Sequence, residues 1–267
     1  AILCIHHIIS DGWTLERIVA EIQACYASPS AAARMPVAGT YRAFVRRELA
    51  ALAGAGYDAE KAWWQTQLAG ALPTRILRDR NGPRGRHGDK MSIRLENRMG
   101  LALAAWAAAG NATLFMATLA VTVRTLRERT ATDDLLIGIA TGYRQGASDE
   151  ATLGCMVNTQ CVRVRDRGAG MGHLLADIRA TCLDAWEHPL LPYEEALGML
   201  ESTSGRDGLD VLFVFQTPVR EHGGTMPGLS WTPRYVPRHV PAMPLTVMVT
   251  QDAHGAVLNL EYDAGLF

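Results

Sequence analysis

Apolar residues recur along this chain at two spacings, and the spacing changes repeatedly. Residues 1–5, AILCI, are mostly apolar, the pattern of a buried strand. Asp11-Gly12 marks a turn, and from residue 13 to 24 apolar side chains return at helical spacing, at Trp13, Ile18, Val19 and Ile22. Further helices are predicted at 41–52 and 59–69. Strands are predicted at 91–95, 135–140, 161–164, 211–215, 245–250 and 257–262, with a helix over 173–187. Helices and strands mix without a regular strand–helix–strand repeat, so the expected fold is an α/β mixed-sheet sandwich. No internal repeat is visible.

One stretch tests that reading. Residues 99–123 contain no charged side chain and are long enough to span a membrane. Gly110-Asn111-Ala112-Thr113 interrupts them: Gly110 can end one helix, and Asn111 or Thr113 can cap the next. Two short helices packed in a core are therefore expected. Residues 78–89, RDRNGPRGRHGD, form a polar connector, read as a solvated loop, and they separate two blocks, 1–80 and 81–267. Residues 218–244 carry six prolines, Pro218, Pro227, Pro233, Pro237, Pro241 and Pro244, the mark of a long irregular crossing segment.

Composition narrows the function classes. The 267 residues are 48% hydrophobic with a formal net charge of −1. That composition can bury a core but does not suit nucleic acid as the main partner. Cys4, Cys25, Cys155, Cys161 and Cys182 show no CxxC and no metal spacing, so reduced cytoplasmic thiols are expected. Cys4 is read as a buried strand cysteine before it is read as a nucleophile. No signal peptide is visible.

The chemistry concentrates in His6-His7-Ile8-Ile9-Ser10-Asp11-Gly12. A side chain at a strand end, before a turn, is held rigidly yet faces a cleft. His7 there can take a proton from an amine or hydroxyl attacking an acyl carbonyl, because imidazole titrates near neutrality. Adjacent residues on a strand face opposite sides, so one of His6 and His7 is read as structural and no shared metal is expected. Asp11 is expected to pair with an arginine and brace the loop, and Gly12 to allow positive φ or close substrate approach.

Residues 5–14, IHHIISDGWT, resemble the signature of the condensation domains of nonribosomal peptide synthetases almost residue for residue. Residues 41–45, YRAFV, are similar to the next motif, with Ala43 where an Asp is usual. Residues 134–144, DLLIGIATGYR, resemble a strand ending in a Gly-Arg turn, and 153–163, LGCMVNTQCVR, are the strongest downstream match. HPLLPYE at 188–194 lacks the Gln-Asp pair of its counterpart, and DVLFVFQ at 210–216 and YDAGLF at 262–267 complete the order.

The resemblance implies a two-lobed chloramphenicol acetyltransferase-like fold, here the end of the first lobe and most of the second, with both termini truncated. It implies a catalytic His7, supported by His6, Asp11 and Gly12, with Arg144 pairing with Asp11. It implies amide formation between donor and acceptor held on the phosphopantetheine of carrier proteins, with an adenylation domain alongside and no metal or organic cofactor, in secondary-metabolite or antibiotic synthesis. The His pair does not fit the Asp-based signature of cyclization domains, and Thr14-Leu15-Glu16 does not fit epimerization domains. Two alternatives share the motif: a stand-alone acyltransferase using a carrier or coenzyme A thioester, and a non-catalytic module that recruits a partner. These 267 residues alone are expected to be inactive and prone to association.

Overall fold

The computed structural model describes residues 2–35, 39–76, 87–130, 132–200, 208–216, 224–231, 240–252 and 255–267. In order come α1 (Gly12–Ala27), α2 (Tyr41–Leu52), α3 (Gly56–Leu68), β1 (Gly88–Leu95), α4 (Asn97–Ala109), α5 (Leu114–Thr130), β2 (Asp134–Gly142), α6 (Gly146–Ala151), β3 (Val157–Arg165), α7 (Met171–Glu187), α8 (Tyr193–Gly198), β4 (Val211–Gln216), β5 (Gly224–Met226), β6 (Leu229–Trp231), β7 (Leu245–Asp252) and β8 (Gly255–Asp263). The fold is mixed α/β, as the pattern predicts, and every predicted helix and internal strand is present.

These elements form two compact units: residues 1–57 with 141–158 and 219–235, and residues 58–140 with 159–218 and 236–267. The units are not contiguous in sequence. Most of the expected connector, 77–86, lies outside the described residues, and the first change of unit falls inside α3. Compactness follows from contacts across space, which local composition does not report.

The second unit is built on a six-stranded sheet in the order β1-β8-β7-β4-β2-β3. β1, β8 and β7 pair antiparallel, while β4 runs parallel to both β7 and β2. Parallel neighbours need a long crossover. The chain between β2 and β4 carries α6 to α8, and that between β4 and β7 carries the proline-rich stretch. Buried Leu135, Leu136, Ile137 and Ile139 make β2 nearly continuous in apolar character, as a central strand covered on both faces should be. At Gly138 an added Cβ would lie 3.0 Å from Thr159 Cγ2, so a larger residue there would press on β3. α5 contributes buried Met116, Leu119, Val123 and Leu126, and α7 contributes Leu174, Leu175, Ile178 and Cys182. Burial pushes the Cys161 and Cys182 thiols up to about 12.

The uncharged stretch divides where predicted. α4 ends at Gly110, Asn111 takes φ +50°, and Thr113 Oγ1 accepts the N–H of Met116 to open α5. The two helices meet at 104°, and no single helix among the described residues is long and apolar enough to cross a membrane.

In the first unit, α1 and α2 follow their predicted patterns. The opening segment does not. Residues 2–5 form no strand, and Ile2, Leu3 and Cys4 are exposed, Ile2 at 95%. An extended segment becomes a strand only when a neighbour takes its backbone groups, and residues 2–5 have no such neighbour among the described residues. Cys4 is correspondingly an exposed thiol and not a buried strand residue. Proline content predicts an irregular segment throughout 218–244, yet β5 and β6 form a short antiparallel hairpin within it, across Gly228 at φ +72°. Residues 217–223 and 232–239 lie outside the described residues.

Candidate active site

The His motif folds as a 3-10 turn at His7–Ile9, not as a strand end. His6 takes the N-cap position in extended conformation, and its Nδ1 accepts the Ile8 N–H at 3.1 Å. Ser10 Oγ donates to the His6 carbonyl at 3.2 Å. The structural role expected for one of the two histidines thus falls to His6, by capping and not by opposite faces of a strand. His7 is left exposed.

Asp11 closes the turn and starts α1. Its Oδ1 accepts the Thr14 N–H at 2.8 Å, an N-cap bond that satisfies one free donor of the first helical turn. Gly12 is the first residue of α1 and is not among the glycines with positive φ, Gly70, Gly146, Gly168, Gly170 and Gly228. Of the two uses expected of it, positive φ is therefore not made.

The brace expected of Asp11 is formed by Arg144. Nη1 reaches Oδ2 at 2.6 Å and Nη2 reaches Oδ1 at 3.0 Å, a bidentate pair whose side chains are 9% and 1% exposed. Oδ2 also accepts the Met156 N–H at 2.9 Å. Burial alone would raise the Asp11 carboxyl; Arg144 and the Met156 and Thr14 donors outweigh it and hold the group below the usual carboxylate value.

Thr14 adds a second strut. Its hydroxyl donates to the Gly154 carbonyl at 2.8 Å and accepts the Gly154 N–H at 3.0 Å, and Arg144 Nη2 reaches both that hydroxyl and that carbonyl. Residues 154–156 are thereby tied to the His turn. From the other side, Tyr41 donates its hydroxyl to the Cys155 carbonyl at 2.9 Å. The Tyr41 ring lies so close to Gly154 that an added Cβ would meet Cδ2 at 2.2 Å. Burial pushes the Tyr41 hydroxyl up. Arg47, in α2, pairs with Asp149 at 2.6 Å, and Asp149 accepts the Gln145 N–H at 2.9 Å, fixing the residue after Arg144. Burial opposes, but Gln145 and Arg47 hold the Asp149 carboxyl low.

The product of this scaffold is a contact the sequence did not disclose. Cys155 Sγ lies 3.7 Å from His7 Nδ1. Burial pushes the half-buried Cys155 thiol up, reinforced by the Asp11 charge and only partly offset by the Val157 N–H and Arg144. Thr14, Gly154 and Cys155 all lie inside motifs visible in the sequence, but their pairing with the His turn depends on a return of the chain over more than 130 residues.

Two of the other matched motifs have packing roles within the second unit. His188 stacks on Trp63 at 4.0 Å between ring centroids and pairs with Glu60 at 3.1 Å, and Glu60 also accepts the Leu190 N–H. Asp210 binds Arg75 at 2.9 Å and the Ile76 N–H.

A family model for the condensation domain matches residues 1–267. A component of the linear gramicidin synthase of Brevibacillus parabrevis is 28% identical over 281 residues, covering 100% of this chain and 5% of that protein. A component of the plipastatin synthase of Bacillus subtilis is 27% identical over 269 residues, covering 98% and 10%. Among solved structures, the first condensation domain of the CDA synthetase superposes with a TM-score of 0.81 at 18% identity, over 98% of this chain and 58% of that one. The chain thus spans a small part of these synthases and somewhat over half of the solved domain.

Proposed function

Since the chain belongs to the condensation domain family, we propose that it forms an amide bond between a donor acyl thioester and an acceptor amine, each carried on the phosphopantetheine of a partner carrier protein. The amine nitrogen attacks the thioester carbonyl, the new C–N bond forms, the C–S bond breaks, and the amine proton leaves with the pantetheine thiol. His7 is the catalytic residue: it positions the amine or takes its proton in transit. His6, Asp11, Gly12 and Arg144 build and brace the turn that presents it. The observation that carries this reading is an intact, exposed His7 on a turn locked by the Asp11–Arg144 pair. A module that only recruits a partner would need the brace for folding but not the exposed imidazole. A stand-alone acyltransferase would use it too.

Several features of the wider protein belong to the same proposal. The second unit corresponds to most of the second lobe, with the His turn at the end of the first. The remaining lobe structure, the carrier partners and an adjacent adenylation domain lie in the rest of the synthetase, which works in the cytoplasm. The catalyst itself uses no metal or organic cofactor.

A thioester condensation assay on the complete synthetase tests this. His7→Ala is expected to lower turnover at least ~100-fold under chemistry-limited conditions, and near-normal turnover would defeat the assignment. Transfer to a free alcohol or amine in place of a carrier-bound one would favour the stand-alone acyltransferase.

A further inference from the structure

The backbone around Cys155 is held at three consecutive residues: Gly154 by Thr14, the Cys155 carbonyl by Tyr41, and the Met156 N–H by Asp11. Only χ1 is left to aim the thiol, and it lies 3.7 Å from His7 Nδ1. Burial and the neighbouring Asp11 charge keep this thiol in its neutral form. A neutral thiol carries one S–H donor and a poor acceptor, whereas an unprotonated imidazole nitrogen is a strong acceptor. The contact is best satisfied in one direction.

We propose that Cys155 is a positioning residue that donates its S–H to Nδ1 of His7, fixing the ring orientation and the Nε2–H tautomer. This rests on the reading of His7 as the catalytic residue. With Nδ1 occupied and Nε2 protonated, His7 presents a donor to the substrate and not a lone pair. A donor there stabilises negative charge developing on the thioester oxygen as the amine attacks. The amine proton then passes to the departing sulfur as the C–S bond breaks, so the step balances without His7 as its acceptor. In this arrangement His7 acts on the thioester oxygen and is not the acceptor of the amine proton.

Imidazole 15N spectra of this chain, recorded above the titration range of histidine, test the assignment directly. Wild type is expected to show His7 as the Nε2–H tautomer with Nδ1 accepting a hydrogen bond. Cys155→Ser, whose hydroxyl can donate in the same place, is expected to retain that signature. Cys155→Ala is expected to release Nδ1 and let the tautomers mix. In the complete synthetase Cys155→Ala should lower kcat about fivefold, the worth of one neutral hydrogen bond, with KM unchanged. A wild-type ring protonated at Nδ1, or a Cys155→Ala spectrum identical to wild type, overturns the proposal. Should Cys155→Ala fail to fold, the wild-type and Cys155→Ser spectra decide. Separate failures are distinguishable: a Cys155-dependent tautomer together with an active His7→Ala protein removes His7's catalytic role but leaves the contact standing. An inactive His7→Ala protein with an unresponsive ring does the reverse.

Discussion

At the scale of single residues, one buried ion pair braces the segment that follows the His turn. Asp11 serves four donors at once, the two Arg144 nitrogens and the Thr14 and Met156 N–H groups. Asp11→Asn leaves Arg144 buried without its counter-charge, and breaking such a pair costs about 3 kcal/mol or more. We expect lower thermal stability and lower activity together. Arg144→Ala should resemble it, and the double substitution should be less than additive because both remove one interaction; additive losses in denaturant titrations would count against a shared brace. The pair also has a pH signature. Asp11 has a folded value below its unfolded value of about 3.9. Its contribution is therefore fully present above that unfolded value and is lost as pH falls through the folded one. Unfolding midpoints measured from pH 7 down to 3 should fall more steeply in wild type than in Asp11→Asn. Gly154 makes the complementary point about space. Gly154→Ala drives a methyl into the Tyr41 ring and should cost about 1–3 kcal/mol, the usual cost of overpacking. A smaller residue at position 41 should recover part of that loss.

At the scale of elements, signals that act within a few residues were legible and signals that need a partner were not. The break between α4 and α5 was visible in Gly110-Asn111-Ala112-Thr113 because capping and left-handed φ are local properties. Thr113→Ala removes the side chain that accepts the Met116 N–H and should cost about 1 kcal/mol, as lost N-caps do, read as a lowered melting temperature with the fold unchanged. The opening segment shows the opposite case. Its apolar residues 1–5 match a strand pattern, yet residues 2–5 form no strand among the described residues. A strand is a property of two chains side by side, and a hydrophobic run specifies only one of them. The short α6 and α8 were missed for a related reason: six residues give too few turns for a periodic signal.

At the scale of the whole molecule, α1 presents Leu15, Ile22 and Tyr26, spaced along one face and 39%, 53% and 53% exposed, beside exposed Ile2, Ile8 and Ile9. Exposed large apolar side chains in such number favour association. We expect this 267-residue chain to self-associate in light scattering, and Ile22→Ser with Tyr26→Ser to reduce it; a monodisperse wild-type monomer would refute the expectation. The sequence by itself determined the elements and the chemistry available. It located the longer helices and the six strands of the main sheet, marked the interruption of the uncharged stretch, and placed the His7 imidazole and Asp11 within one seven-residue motif. The resemblance to condensation domains, and not local pattern, added Arg144 as the partner of Asp11, from a motif more than a hundred residues away. These follow from periodicity, local capping and motif order, all of which are written along the chain. Only the tertiary structure decided that His6 caps a 3-10 turn, that Thr14 ties down Gly154, that the thiol of Cys155 meets His7, and that residues 141–158 and 219–235 join the N-terminal residues in one compact unit. Each of these depends on distances between segments far apart in sequence, and those are set by packing the whole chain at once.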